Sequence, residues 1–255
     1  MNWQLTNKNI IMLSFNRCKI KSNIPNLLTL FNLVCGSMGI IIAFQGNLFI
    51  AASLIKLGAF FDFLDGLIAR ALGAHSSMGK ELDSLADLIT FGLLPTVVIY
   101  HLLQQGYLGN QIISPYIALL IVICAALRLA KFNVASNQKD KFIGLSTTGY
   151  AILISTLPPM LLNSNNHIVQ QFLATPYCLA IITIIGPLLQ VSNMPFMALK
   201  FNNEFRWSAN KSKYLFILIA ILLTAIFREE GIAISMVIYI TMAFILQCRE
   251  WLKIN

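Results

Sequence analysis

Four aspartates are the residues in this chain best placed to do chemistry. They fall in two stretches, Asp62-Phe63-Leu64-Asp65-Gly66-Leu67-Ile68-Ala69-Arg70 and Gly79-Lys80-Glu81-Leu82-Asp83-Ser84-Leu85-Ala86-Asp87. At about 100° per residue, Asp62 and Asp65 share one helix face a turn apart, and so do Asp83 and Asp87. The loop between the stretches lets the two helices run antiparallel, so the pairs can face each other. Four converging carboxylates repel unless cations neutralise them. Hard divalent ions such as Mg²⁺, Mn²⁺ or Ca²⁺ prefer all-oxygen ligands, and two of them balance four aspartates. A two-metal site of this kind suits a diphosphate substrate and in-line displacement at phosphorus. Small residues at Gly66, Ala69 and Gly79 leave room for a ligand close to the backbone, and Arg70 at a helix end can hold a phosphate.

The elements that must carry these residues are set by composition. Of 255 residues, 57% are hydrophobic and 11% charged, where a soluble domain is about a quarter charged. A soluble globular enzyme, a disordered chain and a disulfide-stapled scaffold are all poor fits. Charge-free runs cover residues 22–55, 88–127, 142–199, 214–227 and 231–248. A membrane-crossing helix needs about 20 apolar residues, so the longest run holds two spans. The pattern predicts an all-α, polytopic membrane bundle of about eight helices, near 25–45, 48–71, 82–103, 112–132, 145–162, 171–190, 212–228 and 231–248. Lipid offers backbone groups no partner, which leaves helices or a closed barrel, and the runs lack the strict alternation of barrel strands.

The net charge of +8 would point to nucleic acid in a soluble protein. Here its distribution gives topology instead, and no nucleic-acid partner is expected. Sixteen of the 18 Lys and Arg residues fall at alternate connections or the termini, leaving only Lys56 and Arg228. Under the positive-inside rule both termini, and the aspartates with them, face the cytoplasm. A lone intramembrane acid can simply snorkel or pair between helices, but four at i,i+3 and i,i+4 spacing fit that reading badly. An ion pathway would string its acids through the membrane depth, whereas these gather at one end.

Other residues carry plainer expectations. The cysteines are five, with no C-x-x-C pair, and serve packing. The stretch 1–21, with Trp3, Phe15 and several basic residues, reads as an interfacial segment rather than a signal peptide. Lys56 lies 240° around the helix from Asp62 and is expected to snorkel. His75 is a solvated loop residue, Gly36 and Gly39 serve close helix packing, and Arg228-Glu229-Glu230 forms a short external turn.

The pattern D-x-x-D-G-x-x-A-R-x8-G-x3-D-x3-D, complete from Asp62 to Asp87, resembles the signature of the CDP-alcohol phosphatidyltransferases. The resemblance implies a helical membrane enzyme whose active site opens to the cytoplasm. It implies that Asp62, Asp65, Asp83 and Asp87 ligate two divalent metals, with Asp87 also the general base toward an attacking hydroxyl. Gly66, Ala69, Arg70 and Gly79 would form a CMP pocket. Asn26 and Thr29 on the first helix would contact the nucleotide or its phosphate, or alternatively cap the helix start. A homodimer is implied too. The catalytic membrane domain is placed at residues 22–200, and 201–255 are read as two additional C-terminal spans.

The acceptor alcohol rests on further stretches. Ile24-Pro25-Asn26-Leu27-Leu28-Thr29-Leu30-Phe31-Asn32-Leu33, Ala126-Leu127-Arg128-Leu129-Ala130-Lys131-Phe132-Asn133, Phe142-Ile143-Gly144-Leu145 and Val191-Ser192-Asn193-Met194 are similar to the bacterial and archaeal membrane-integral phosphatidylserine synthases. That resemblance implies transfer from CDP-diacylglycerol to L-serine in a prokaryotic cytoplasmic membrane. Serine carries a carboxylate and an ammonium beside its hydroxyl. Arg128 can hold the carboxylate bidentately, and Asn133 can take the ammonium. Glycerol 3-phosphate or inositol phosphate as acceptor, and an ion-coupled transporter, remain the alternatives. Ser146 stands where the branch has proline, which is expected to loosen the start of span five.

Overall fold

The computed structural model describes residues 3–74, 76–105, 113–134, 142–163, 167–196 and 207–254. In chain order these form α1 (Trp3–Phe44), α2 (Leu48–Leu72), α3 (Ser77–Asp87), a π-helical turn (Leu88–Leu93) and α4 (Leu94–Gln105). A 3₁₀ turn (Pro115–Ala118) then leads into α5 (Leu119–Val134), followed by β1 (Phe142–Ile143) and α6 (Thr147–Asn163). The remainder is α7 (His167–Ala174), α8 (Pro176–Val191), β2 (Pro195–Phe196), α9 (Trp207–Phe227) and α10 (Glu229–Ile254). The fold is all-α, as expected. Each of the eight expected spans is largely helical among the described residues, and the extended pairing there is confined to two residues on each side, Phe142 opposite Phe196 and Ile143 opposite Pro195.

Three helices, Asn23–Phe44, Ser77–Gln105 and Pro115–Val134, are long and apolar enough to cross a membrane, and Thr147–Leu162, Tyr177–Val191 and Tyr214–Phe227 are shorter apolar helices. Helix α2 has the length but carries Lys56, Asp62, Asp65 and Arg70. On α1 the exposed side chains Leu27, Phe31, Val34, Met38 and Ile41 recur every three or four residues, one stripe of a 3.6-residue helix. Such a stripe is stable against lipid rather than water. The opposite stripe, Thr29, Asn32, Gly36 and Gly39, is buried. A Cβ at Gly36 would stand 2.8 Å from the Thr90 Cα, so the glycine is what lets α1 lie against the π turn. The packing role expected for Gly36 and Gly39 is met.

Several boundaries differ from expectation, each for a local reason. Span three starts at Ser77 rather than 82, because Ser76 caps it: its hydroxyl oxygen accepts from the Gly79 N–H at 2.9 Å. Gly79, Asp83 and Asp87 therefore ride on one helix. The π turn follows, with the Leu94 N–H donating to the Ile89 carbonyl five residues back, just ahead of Pro95, which has no N–H to hold an α-register bond. The expected span 171–190 is broken at Thr175, whose ψ of 129° is extended, since a residue preceding proline disfavours the helical region. At Ser146 the expected loosening does not occur. The serine hydroxyl accepts from the Gly149 N–H at 3.4 Å and its carbonyl from the Tyr150 N–H at 2.9 Å, a serine cap where proline was expected.

Behind that cap, Gly144 has φ +80°. Its N–H donates to the Met194 carbonyl at 2.9 Å, and the Leu145 N–H donates to the Leu189 carbonyl at 3.0 Å. These bonds tie the loop leading into α6 to the end of α8. Helices α9 and α10 form a hairpin turned at Arg228 (φ 49°), and α10 meets β2 through the rings of Tyr239 and Phe196, 5.5 Å apart. Lys56 does not snorkel. It forms an ion pair with Glu229 at the first turn of α10.

Candidate active site

Helices α1, α2 and α3 meet around the aspartates. Asp62, from the second half of α2, and Asp83 and Asp87, from α3, each offer a carboxylate oxygen within 4.8 Å of the others. The Thr148 hydroxyl at the start of α6 hydrogen-bonds Asp62. Asp65 stands apart from that trio. It is buried, and its Oδ2 accepts from the Thr29 hydroxyl at 2.6 Å. Thr29 is thus no helix cap; it joins α1 to α2 at the site.

Asn32 was not singled out from the sequence. It is fully buried, and its side-chain N–H donates to Asp87 Oδ1 at 3.3 Å, while its backbone carbonyl accepts from the Thr90 hydroxyl at 2.9 Å. The π turn places Thr90 there, as such turns often do beside functional residues. A readable signal did exist: Asn26, Thr29 and Asn32 form a polar stripe at i+3 spacing in an otherwise apolar helix.

Two cavities meet at the carboxylates. The larger, about 460 Å³, is lined by Asn26, Thr29, Asp65, Gly66, Ala69 and Gly79, together with Lys80 and Asp83. A Cβ at Gly66 would find nothing closer than the Arg70 guanidinium at 3.9 Å, whereas one at Gly79 would stand 2.8 Å from Asn26 Oδ1. Gly66 therefore opens the wall, and Gly79 lets α3 close on α1. Arg70, exposed on the last turn of α2, is not part of that wall. The smaller cavity, about 170 Å³, has Lys80, Asp83, Asp87, Arg128, Asn133 and Thr147 in its wall. Lys80 and Asp83 belong to both.

In the smaller cavity Arg128 donates from Nη1 to the Thr147 hydroxyl at 3.0 Å, and its Nε is buried without a partner. Asn133 is engaged with α3: its side-chain N–H donates to the Ser84 hydroxyl at 2.8 Å, and its backbone carbonyl accepts from Lys80 at 3.1 Å. His75 lies outside the described residues.

The donor set fits hard divalent cations. Three carboxylates share one small space, Asp83 Oδ1 is buried without a hydrogen-bond partner, and oxygen-only ligation is what Mg²⁺, Mn²⁺ and Ca²⁺ prefer. The arrangement is an acidic cluster between a roomy polar cavity and a small cationic one, in a bundle with a lipid-facing exterior.

The chain belongs to the CDP-alcohol phosphatidyltransferase family, whose pattern it matches over residues 22–189. It is 40% identical over 122 residues to the CDP-diacylglycerol–serine O-phosphatidyltransferase of Bacillus subtilis, covering 48% of this chain and 67% of that one. To the enzyme of the same name from Helicobacter pylori strain 26695 it is 32% identical over 220 residues, 85% of this chain and 87% of the relative. To the archaetidylserine synthase of Methanothermobacter thermautotrophicus it is 36% identical over 135 residues, 52% and 56% of the two chains. The protein is thus a membrane phosphotransferase of this family. Ion-coupled transport is disfavoured, because three of the carboxylates share one small cluster and the family is one of transferases.

Proposed function

We propose that this protein transfers the phosphatidyl group of CDP-diacylglycerol to the hydroxyl of L-serine, giving phosphatidylserine and CMP. The observation that carries the proposal is Asp83, shared between a cavity large enough for a nucleotide head and a small one lined by Arg128. The relatives named for serine transfer support the choice of acceptor.

Asp62, Asp65, Asp83 and Asp87 would hold two divalent ions (Mg²⁺, Mn²⁺ or Ca²⁺), which neutralise the diphosphate and the charge developing in the displacement. Asn26, Thr29, Gly66, Ala69 and Gly79 cradle the CDP group, with Arg70 reaching it from the rim. Asp87 takes the serine hydroxyl proton, held in orientation by Asn32. The serine oxygen then bonds to the lipid-linked phosphorus as the bond to the CMP oxygen breaks. Arg128 binds the serine carboxylate, and Asn133 offers its remaining carbonyl oxygen to the ammonium.

The proposal includes eight spans in a prokaryotic cytoplasmic membrane, both termini and the site on the cytoplasmic side, a catalytic domain at 22–200, two further spans in 201–255 and a homodimer. The test is CMP release by purified protein given Mn²⁺ or Mg²⁺, CDP-diacylglycerol and one acceptor at a time. Release with serine alone, abolished by EDTA, is the expected result. Release with glycerol 3-phosphate or inositol phosphate instead would replace the acceptor, and none with any acceptor would end the reading.

A further inference from the structure

Beyond Arg128 lies a third cavity, about 110 Å³, walled by Arg128, Lys131, Gln190, Ser192 and Asn193. It shares Arg128 with the cavity that holds Asp87. Gln190, at the end of α8, is 2% exposed, and both polar atoms of its side-chain amide are buried without a hydrogen-bond partner. Elsewhere in the bundle the buried hydroxyls are satisfied: those of Thr96, Thr183 and Ser235 each donate to the carbonyl four residues back. A buried amide left with neither of its bonds is costly in a folded protein. The fold also builds this corner deliberately. A Cβ at Gly144 would run into the Gln190 carbonyl, so the left-handed glycine is what brings the α6 loop onto the end of α8.

We propose that Gln190 reads the charged head of the acceptor amino acid, its N–H donating to the carboxylate and its carbonyl oxygen accepting from the ammonium. This deepens the serine reading and rests on it. An acceptor whose hydroxyl lies at Asp87 directs the rest of a small molecule toward Arg128 and the third cavity. A carboxylate only accepts hydrogen bonds and an ammonium only donates them; a neutral amide supplies one group of each kind, whichever way it is flipped. Arg128 and Lys131 supply positive charge but no acceptor, so they suit any anion. A phosphate-bearing acceptor would satisfy the Gln190 N–H and leave its carbonyl oxygen facing anionic oxygen. Gln190 therefore selects an α-amino acid over a phosphate ester.

The test uses the full-length protein in detergent with Mn²⁺, comparing wild type with Gln190→Leu and Gln190→Met. Expected is a rise in the serine KM of about 10- to 100-fold, the loss of hydrogen bonds to charged groups, with the CDP-diacylglycerol KM within twofold of wild type. Both variants should also discriminate less well between serine and two competitors, ethanolamine and 3-hydroxypropionate, which each lack one charged group. Thermal stabilisation by CDP-diacylglycerol checks that each variant is folded; should one variant not fold, the other decides. A serine KM within twofold of wild type, or a parallel rise in both KM values, overturns the assignment of Gln190 while leaving serine transfer intact. A wild-type protein that uses glycerol 3-phosphate and not serine overturns both.

Discussion

Asp87 and Asn32 define the site at the scale of single residues. Asp87→Asn keeps the shape and the Asn32 contact but has no carboxylate to accept a proton. Turnover should fall by at least about 100-fold, the usual contribution of a general base, while CDP-diacylglycerol still stabilises the variant in thermal melts; near-normal turnover would remove Asp87 from its role. Asn32→Ala leaves the carboxylate in place without its 3.3 Å donor. Loss of such an orienting partner costs on the order of 10–100-fold. It should appear in kcat with the serine KM little changed, and a pure KM effect would argue against orientation of Asp87. The aspartates were legible in the sequence because charge in an apolar run is conspicuous and their spacing matches the helical period. Asn32 left only a faint trace, as one step of the polar stripe with Asn26 and Thr29, and Gln190 left none, because a neutral amide changes neither net charge nor the apolar character of its run. What marks them is burial without a full set of partners, which only packing reveals.

At the scale of elements, the spans were legible from charge-free runs, but what joins them was not. The Ser76 cap, the π turn before Pro95 and the break at Pro176 are local and could be read from residue chemistry. The pairing of Lys56 with Glu229 spans 173 positions, and no periodicity connects them. Lys56 is eight residues into α2, about 12 Å along the helix, where an unpaired ammonium would be costly. The pair thus pins the α9–α10 hairpin to the catalytic helices. Lys56→Met or Glu229→Gln alone should destabilise by on the order of 1–3 kcal/mol, between exposed and fully buried pairs. The exchange Lys56→Glu with Glu229→Lys should recover part of that loss in a melting experiment in detergent. Equal, additive losses in the double variant would show the contact to be incidental.

At the scale of the whole molecule, large apolar side chains lie exposed on the outward faces of the helices, and the aspartates cluster between α2 and α3. In the proposed topology the positive-inside rule puts the aspartate cluster on the cytoplasmic side. In a cysteine-free background, Gln45→Cys, exposed in the α1–α2 turn, should react with an impermeant maleimide in intact cells. Ser77→Cys, exposed at the start of α3 beyond the other end of α2, should react only after permeabilisation. The reverse pattern would invert the orientation and put the site on the wrong side for a cytoplasmic nucleotide.

The shared wall at Lys80 and Asp83 also has a kinetic consequence. Two cavities that meet at one carboxylate can be filled independently, and reaction requires both to be full. The kinetics should therefore be sequential, with intersecting rather than parallel double-reciprocal lines. CMP should compete with CDP-diacylglycerol but not with serine, and labelled CMP should not exchange into CDP-diacylglycerol while the acceptor is absent. Parallel lines and acceptor-free exchange would instead mean that the lipid passes through a covalent intermediate on the protein.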